Sequence, residues 1–252
     1  MLFGSIVYGP IRSRRLGVSL GVNLMPITAK LCTFDCVYCE CGWNQPVLHP
    51  NFPTREEVRI ALESQLSIAV EPIDVITFSG NGEPTLHPDF LGIIQDTCAL
   101  RDQHCPNAKV SVLSNSTQLG RTDVFEALRL CDNRILKLDS AIDATMRLID
   151  KPVNAQLTVK QIAQWLSIFD GDFTLQTCFL RGEYQGQTID NTTPEELTAW
   201  YKMVDYLHPK QVMIYVIDRV TPLETLEKIP AETMEKIAIP LREKGIDVIV
   251  SV

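Results

Sequence analysis

Short apolar runs alternate with amphipathic stretches along almost the whole chain. Residues 18–25 alternate apolar with small or polar side chains, the period of a strand, and Pro26 stops the run. Thr54 followed three positions later by Glu57 is a capping box. It predicts a helix over 54–70 that ends before Pro72. Residues 74–79 form a strongly apolar second strand that runs into Gly80-Asn81-Gly82-Glu83-Pro84, and Pro88-Asp89 opens a helix to about 102. Further strands are predicted over 109–113, 134–138, 172–180, 211–217 and 247–250. Helices over 122–130, 143–149, 158–169, 194–207 and 231–244 fall between them. Residues 1–17, with Gly9-Pro10, and residues 43–53, with Pro46, Pro50 and Pro53, read as loops.

Strand and helix alternating in this way predict the α/β class: a parallel sheet with right-handed crossovers, curved into a partial (β/α)6 TIM-like barrel. No internal repeat, linker or low-complexity stretch interrupts it, so the chain reads as a single domain over residues 1–252. The unusual polar residues follow strands: three cysteines after the first, Gly80–Glu83 after the second, Ser114–Thr117 after the third, Asp139 after the fourth. Arg181–Glu183 follows the fifth and Asp218-Arg219 the sixth. In a parallel barrel such groups project from one end, where ligands bind.

Composition narrows the chemistry. With 252 residues, 45% of them hydrophobic, the chain can bury a sizeable core. A formal net charge of −8 weighs against a nucleic-acid partner. A tRNA contact would fall to the local cluster Arg12, Arg14 and Arg15, but three arginines are more often a solvated or salt-bridged loop. No apolar run of about 20 residues suits a membrane span. The first four residues lack the basic start and apolar core of a secretory leader, so the expected location is cytoplasmic. Eight cysteines in a reducing compartment argue for metal or redox use of some of them.

Cys32-Thr33-Phe34-Asp35-Cys36-Val37-Tyr38-Cys39 is the candidate metal loop. Thiolates suit zinc and iron–sulfur clusters. A zinc site, the non-catalytic alternative along with an electron-transfer module, needs a fourth ligand. Cys41 is only two residues from Cys39, and His49 precedes Pro50 at no standard finger spacing. A four-iron cluster normally takes four cysteines, so three would leave one iron open for substrate chemistry.

Cys-x3-Cys-x2-Cys with an aromatic residue before the last cysteine resembles the signature of the radical S-adenosylmethionine (radical SAM) superfamily. The resemblance implies that Cys32, Cys36 and Cys39 hold a [4Fe-4S] cluster whose open iron is chelated by the amino and carboxylate groups of SAM. An electron from a flavodoxin- or ferredoxin-type donor would then cleave SAM to methionine and a 5′-deoxyadenosyl radical, which abstracts hydrogen from a substrate. That substrate is a small molecule or a protein or peptide, with tRNA as the alternative. Tyr38 would lie near the adenine. Ser79-Gly80-Asn81-Gly82-Glu83-Pro84 resembles the family's Gly-Gly-Glu motif, with Asn81 where Gly is common. Gly80, Asn81, Gly82 and above all Glu83 are thereby implied to bind the SAM amino group. Ser114 and Asn115 are candidates for the SAM carboxylate or ribose, or form a polar turn; Ile217 is a candidate for packing on adenine.

Lys137 and Asp139, two apart at a strand end, share a face and either bind SAM or substrate or pair with each other. Arg181 and Arg219 meet an anion or form surface salt bridges. Cys98, Cys105, Cys131 and Cys178 show no second metal spacing and, with Cys41, are expected mostly as small buried hydrophobes, Cys41 staying off the cluster. Tyr8-Gly9-Pro10 through Gly17 and Tyr215-Val216-Ile217-Asp218-Arg219 resemble a group of short iron–sulfur oxidoreductases distantly related to the tRNA wybutosine-synthesis branch.

Overall fold

The computed structural model describes residues 2–13, 15–69 and 71–252, and the chain divides into two compact units. Arg14 of the expected basic cluster lies outside the described residues.

The first unit comprises residues 1–32 and 44–135. Its strands are β1 (Val7–Ser13), β2 (Gly17–Val22), β3 (Val75–Phe78) and β4 (Lys109–Ser114), in that spatial order. β2, β3 and β4 are parallel, in the register Ser19–Val75–Lys109. All four residues of β3 are buried, as a strand covered on both faces requires. α1 (Arg55–Ser67), α2 (Phe90–His104) and α3 (Thr122–Leu130) follow the predicted spans within a few residues. The capping box is present: the Thr54 side chain accepts from Glu57 N, and Glu57 Oε2 accepts from Thr54 N at 2.7 Å.

The second unit comprises residues 33–43 and 136–252. β5 (Asn133–Lys137) ends in it, and β6 (Thr174–Cys178), β9 (Gln211–Tyr215) and β11 (Asp247–Ser251) are parallel in the register Thr174–Gln211–Asp247. α4 (Asp143–Asp150), α5 (Val159–Ser167), α6 (Pro194–Leu207) and α7 (Ala231–Glu243) are the crossover helices. α6 is capped by Thr193, whose side chain accepts from Glu196 N.

Several expectations are corrected. Residues 7–13 are not loop but β1, antiparallel to β2, with an irregular register between Tyr8 and Ile11 that accommodates Gly9-Pro10. An edge strand tolerates a proline because no ladder bond is lost there. The fifth predicted strand, over 172–180, is two elements: β6 stops at Cys178, and Leu180 begins an antiparallel hairpin of β7 (Leu180–Tyr184) and β8 (Gln187–Asp190), flanked by β10 (Glu227–Lys228). Arg181–Glu183 therefore sits inside β7. Of the five cysteines outside the motif only Cys131 and Cys178 are buried; Cys41, Cys98 and Cys105 are partly exposed. A lone cysteine carries no periodicity from which burial can be read. Among the described residues no helix is long and apolar enough to cross a membrane.

Candidate functional site

In the first unit the chain leaves β3 through Ser79 into the glycine loop. Gly82 has φ +144°, and a Cβ there would lie 1.7 Å from Leu31 O, so only glycine permits the approach. The approach matters because it pairs the two segments: Leu31 N donates to Asn81 O at 2.9 Å and Glu83 N to Leu31 O at 3.1 Å. Leu31 precedes Cys32, so the glycine loop sets where the cysteine loop begins.

Asn81, the departure from the usual glycine, is fully buried. Its Nδ2 donates to Phe3 O and Pro26 O, and its Oδ1 accepts from Phe3 N at 2.8 Å. The side chain ties the N-terminal segment to the loop. The same segment is held twice more. Phe3 stacks on Tyr8, and the Tyr8 hydroxyl lies 2.7 Å from Ser79 Oγ.

Glu83 is 2% exposed. Oε1 accepts from Thr85 N and Thr85 Oγ1, and Oε2 from Asn115 N at 2.6 Å. Burial raises its pKa, while the bonds from Asn115, Thr85 and Ser114 pull it back toward the ionised form. Among the described residues Glu83 has no ion-pair partner. After β4, Ser114 Oγ accepts from Ser116 N, and Asn115 Oδ1 accepts from Thr117, closing a tight polar turn. Asn115 Nδ2 donates to Cys32 Sγ at 3.4 Å. Asn115 thus orients both Glu83 and Cys32.

In the second unit, residues 33–39 run beside the end of α4: Asp35 N donates to Asp150 O, Val37 N to Ile149 O and Val153 N to Thr33 O, each at 2.9 Å. Val37 anchors the loop, fully buried among Ile149, Cys178, Leu180 and Ile189. Tyr38, Tyr215 and Ile217 pack on the edge of that cluster. The Tyr38 hydroxyl donates to Asp139 Oδ2 and lies 3.4 Å from the Tyr215 hydroxyl.

Lys137 and Asp139 do meet, and Asp150 joins them. Lys137 Nζ lies 2.9 Å from Cys36 Sγ, 2.5 Å from Asp150 Oδ1 and 3.1 Å from Asp139 Oδ2. All three charged residues are buried. Burial pulls the Lys137 ammonium toward its neutral form, but the charges of Asp139, Asp150 and Cys36 outweigh this and hold its pKa well above the usual lysine range. Asp139 Oδ1 also accepts from Cys178 N, and Asn191 Nδ2 donates to Asp139 O and Cys178 O at 2.8 Å each.

Asp150, Asn191 and Thr85 were not singled out from the sequence. Asp150 had a signal: an acid as the last residue of a helix opposes the helix dipole. Asn191 and Thr85 had none. Arg219 pairs with Glu40 at 2.7 Å and Arg181 with Asp190 at 3.8 Å, both surface bridges, and Arg12 pairs with Glu71.

The donor chemistry fits a thiolate-held cluster and a cationic ligand. The three cysteines are free thiols. Asn115 and Lys137 present N–H donors to Cys32 and Cys36, as anionic sulfur requires, and Glu83 offers a buried carboxylate to an ammonium. Among the described residues no three His, Cys, Asp or Glu side chains are gathered as a ready metal cage.

The radical SAM superfamily profile matches residues 27–169. A UPF0026 protein of Helicobacter pylori strain 26695 is 32% identical over 180 residues, 70% of this chain and 57% of that one. UPF0026 protein slr1464 of Synechocystis is 31% identical over 227 residues, 86% of this chain and 77% of that one. The chain spans little more than half the length of several of the curated relatives it matches. Among solved structures, Streptococcus suis SuiB bound to precursor peptide SuiA matches with a TM-score of 0.66 at 11% identity, over 92% of this chain and 48% of that one. TYW1 with a lysine-pyruvate adduct bound matches with a TM-score of 0.65 at 15% identity, over 89% of this chain and 73% of that one. These likenesses show the fold, the partial TIM-like barrel of mostly parallel strands expected from the alternation.

Proposed function

The chain belongs to the radical SAM superfamily and, within it, to the UPF0026 proteins, and we propose that the protein is a radical SAM enzyme whose Cys32, Cys36 and Cys39 hold the [4Fe-4S] cluster. When bound, the cluster and SAM supply reductive cleavage of SAM and a hydrogen-abstracting radical. The chain's own residues do the rest. Gly82 draws the glycine loop against Leu31, which places Cys32. Asn115 steadies the Cys32 sulfur. Glu83, aided by the backbone of Gly80, Asn81 and Gly82, receives the SAM ammonium. Ser114 supplies a hydroxyl nearby, and Tyr38 and Ile217 offer apolar surface to the adenine. Asp139 is a positioning residue, engaged with Lys137, Tyr38 and Cys178.

The observation that carries this reading is Glu83: a carboxylate 2% exposed, with no ion-pair partner among the described residues, one hydrogen bond from the residue that precedes Cys32. Burying an uncompensated charge is costly, and a cationic ligand offsets the cost. The family needs an electron donor, here a flavodoxin or ferredoxin type. Its substrate is a small molecule or a peptide, acted on in the cytoplasm, where cysteines stay reduced. A net charge of −8, with Arg12 already paired to Glu71, weighs against tRNA.

Anaerobically reconstituted protein, reduced and given SAM, is expected to contain four irons and to release 5′-deoxyadenosine. Stoichiometric zinc in a colourless protein that yields none of this product would overturn the reading.

A further inference from the structure

Lys137 is placed unlike a residue that waits for a substrate. Its ammonium has three N–H bonds, and three acceptors surround it: Cys36 Sγ at 2.9 Å, Asp150 Oδ1 at 2.5 Å and Asp139 Oδ2 at 3.1 Å. The faces of Phe34 and Tyr38 lie 5.1 and 4.9 Å from it. Reaching for any other molecule would disrupt these buried contacts.

The anions themselves are fixed. Asp139 is held by Tyr38 and Cys178 N. Asp150 ends α4, along which the cysteine loop is hydrogen-bonded at Asp35 and Val37. Cys36 Sγ lies 3.6 Å from Asp150 Oδ1, so a metal-bound, proton-free sulfur would face a carboxylate directly unless a cation stood beside both. Lys137 is that cation.

Hydrogen bonds to cluster sulfurs and the net charge around them set an iron–sulfur reduction potential. A donor and positive charge favour the reduced, more negative state. We infer that Lys137, oriented by Asp139 and Asp150, is a positioning residue that donates to the Cys36 sulfur of the cluster and raises its reduction potential, bringing it within reach of the electron donor. The inference rests on the proposed role of Cys36 as a cluster ligand.

The test is a mediator-controlled redox titration of the reconstituted protein, followed by the electron paramagnetic resonance of the reduced cluster. Lys137→Met is expected to show, at the wild-type midpoint, an oxidised-to-reduced ratio about tenfold higher, equivalent to about 59 mV for one electron. Lys137→Arg, which keeps charge and donors, is expected to recover most of the loss. An unchanged midpoint in Lys137→Met overturns the inference. Should that variant take up no cluster, wild-type protein labelled with ε-15N-lysine decides. A nitrogen coupling to the reduced cluster that disappears in Lys137→Arg supports the inference, and its absence overturns it. Wild-type protein that assembles no four-iron cluster overturns the underlying reading instead, and iron and sulfide counts reveal this before any potential is measured.

Discussion

Two buried ionic groups dominate the two units, and they are built on opposite plans. Lys137 sits among three anionic or hydrogen-bond-accepting partners, in a network that extends through Asp139 to Tyr38, Cys178 and Asn191. Glu83 receives neutral donors only, from Thr85, Asn115 and Ser114, and no counter-ion among the described residues. A buried charge that is fully compensated belongs to the architecture. One left with its charge unopposed is a site for something the chain does not itself contain. In the proposed function that difference makes Lys137 a positioning residue and Glu83 a binding residue, although both are polar residues after strands.

Neutralising each group in turn separates them most. Removing one partner of a buried ion pair strands the others at a cost of about 3–5 kcal/mol. Lys137→Met is therefore expected to lower the stability of the ligand-free protein by about that amount in urea unfolding. Glu83→Gln, the matching change in the other unit, is expected to leave it unchanged or raise it. Equal losses in both would erase the distinction.

In ligand binding the order reverses. A hydrogen bond to a charged group contributes about 1.5–3 kcal/mol. Glu83→Gln should weaken SAM binding by about one to two orders of magnitude, read by calorimetry on cluster-loaded protein. Gly82→Ala attacks the same site through backbone: the strain of its positive φ alone is worth about 1–3 kcal/mol, before Leu31 is displaced. Loss of both stability and iron uptake is expected, and a protein loading iron normally would show that the Leu31–Gly82 pairing does not place Cys32. Asn81→Gly is milder. It should leave Glu83 in place but free the N-terminal segment, costing about 1 kcal/mol per lost hydrogen bond and showing as faster proteolysis near Phe3.

The smallest effect is on pH. Burial holds the Glu83 pKa above its ordinary 4.5 in the folded chain. The folded state therefore keeps this proton longer than the unfolded state. The associated stability is fully present below pH 4.5 and is lost as pH rises through the folded value. Glu83→Gln should flatten this part of the ligand-free stability profile, and SAM should flatten it in the wild type.

Much of this was legible in the chain. The spans of α3 and α6 are those predicted, because each has a polar or proline start and an apolar face of helical period. The hairpin of β7 and β8 was missed because its signal is weak. Its turn is Gln185-Gly186, both at positive φ, where Asn-Gly is the usual cue. Its strands carry Arg181, Glu183 and Gln187 in place of an apolar alternation. β1 was missed for a similar reason, since its central residues are exposed and include a proline.

The alternation of strands and helices, the cysteine spacing and the glycine loop that accompanies it can be read along the chain, because each is a local pattern: a period, a spacing, a turn. The sequence also brought Lys137 and Asp139 to notice as a pair. What surrounds them is visible only in the folded chain. Cys36 and Lys137 are 101 residues apart in the chain, and Cys36 and Asp150 are 114. Whether a buried charge is compensated depends on such distant partners, and no local pattern encodes it.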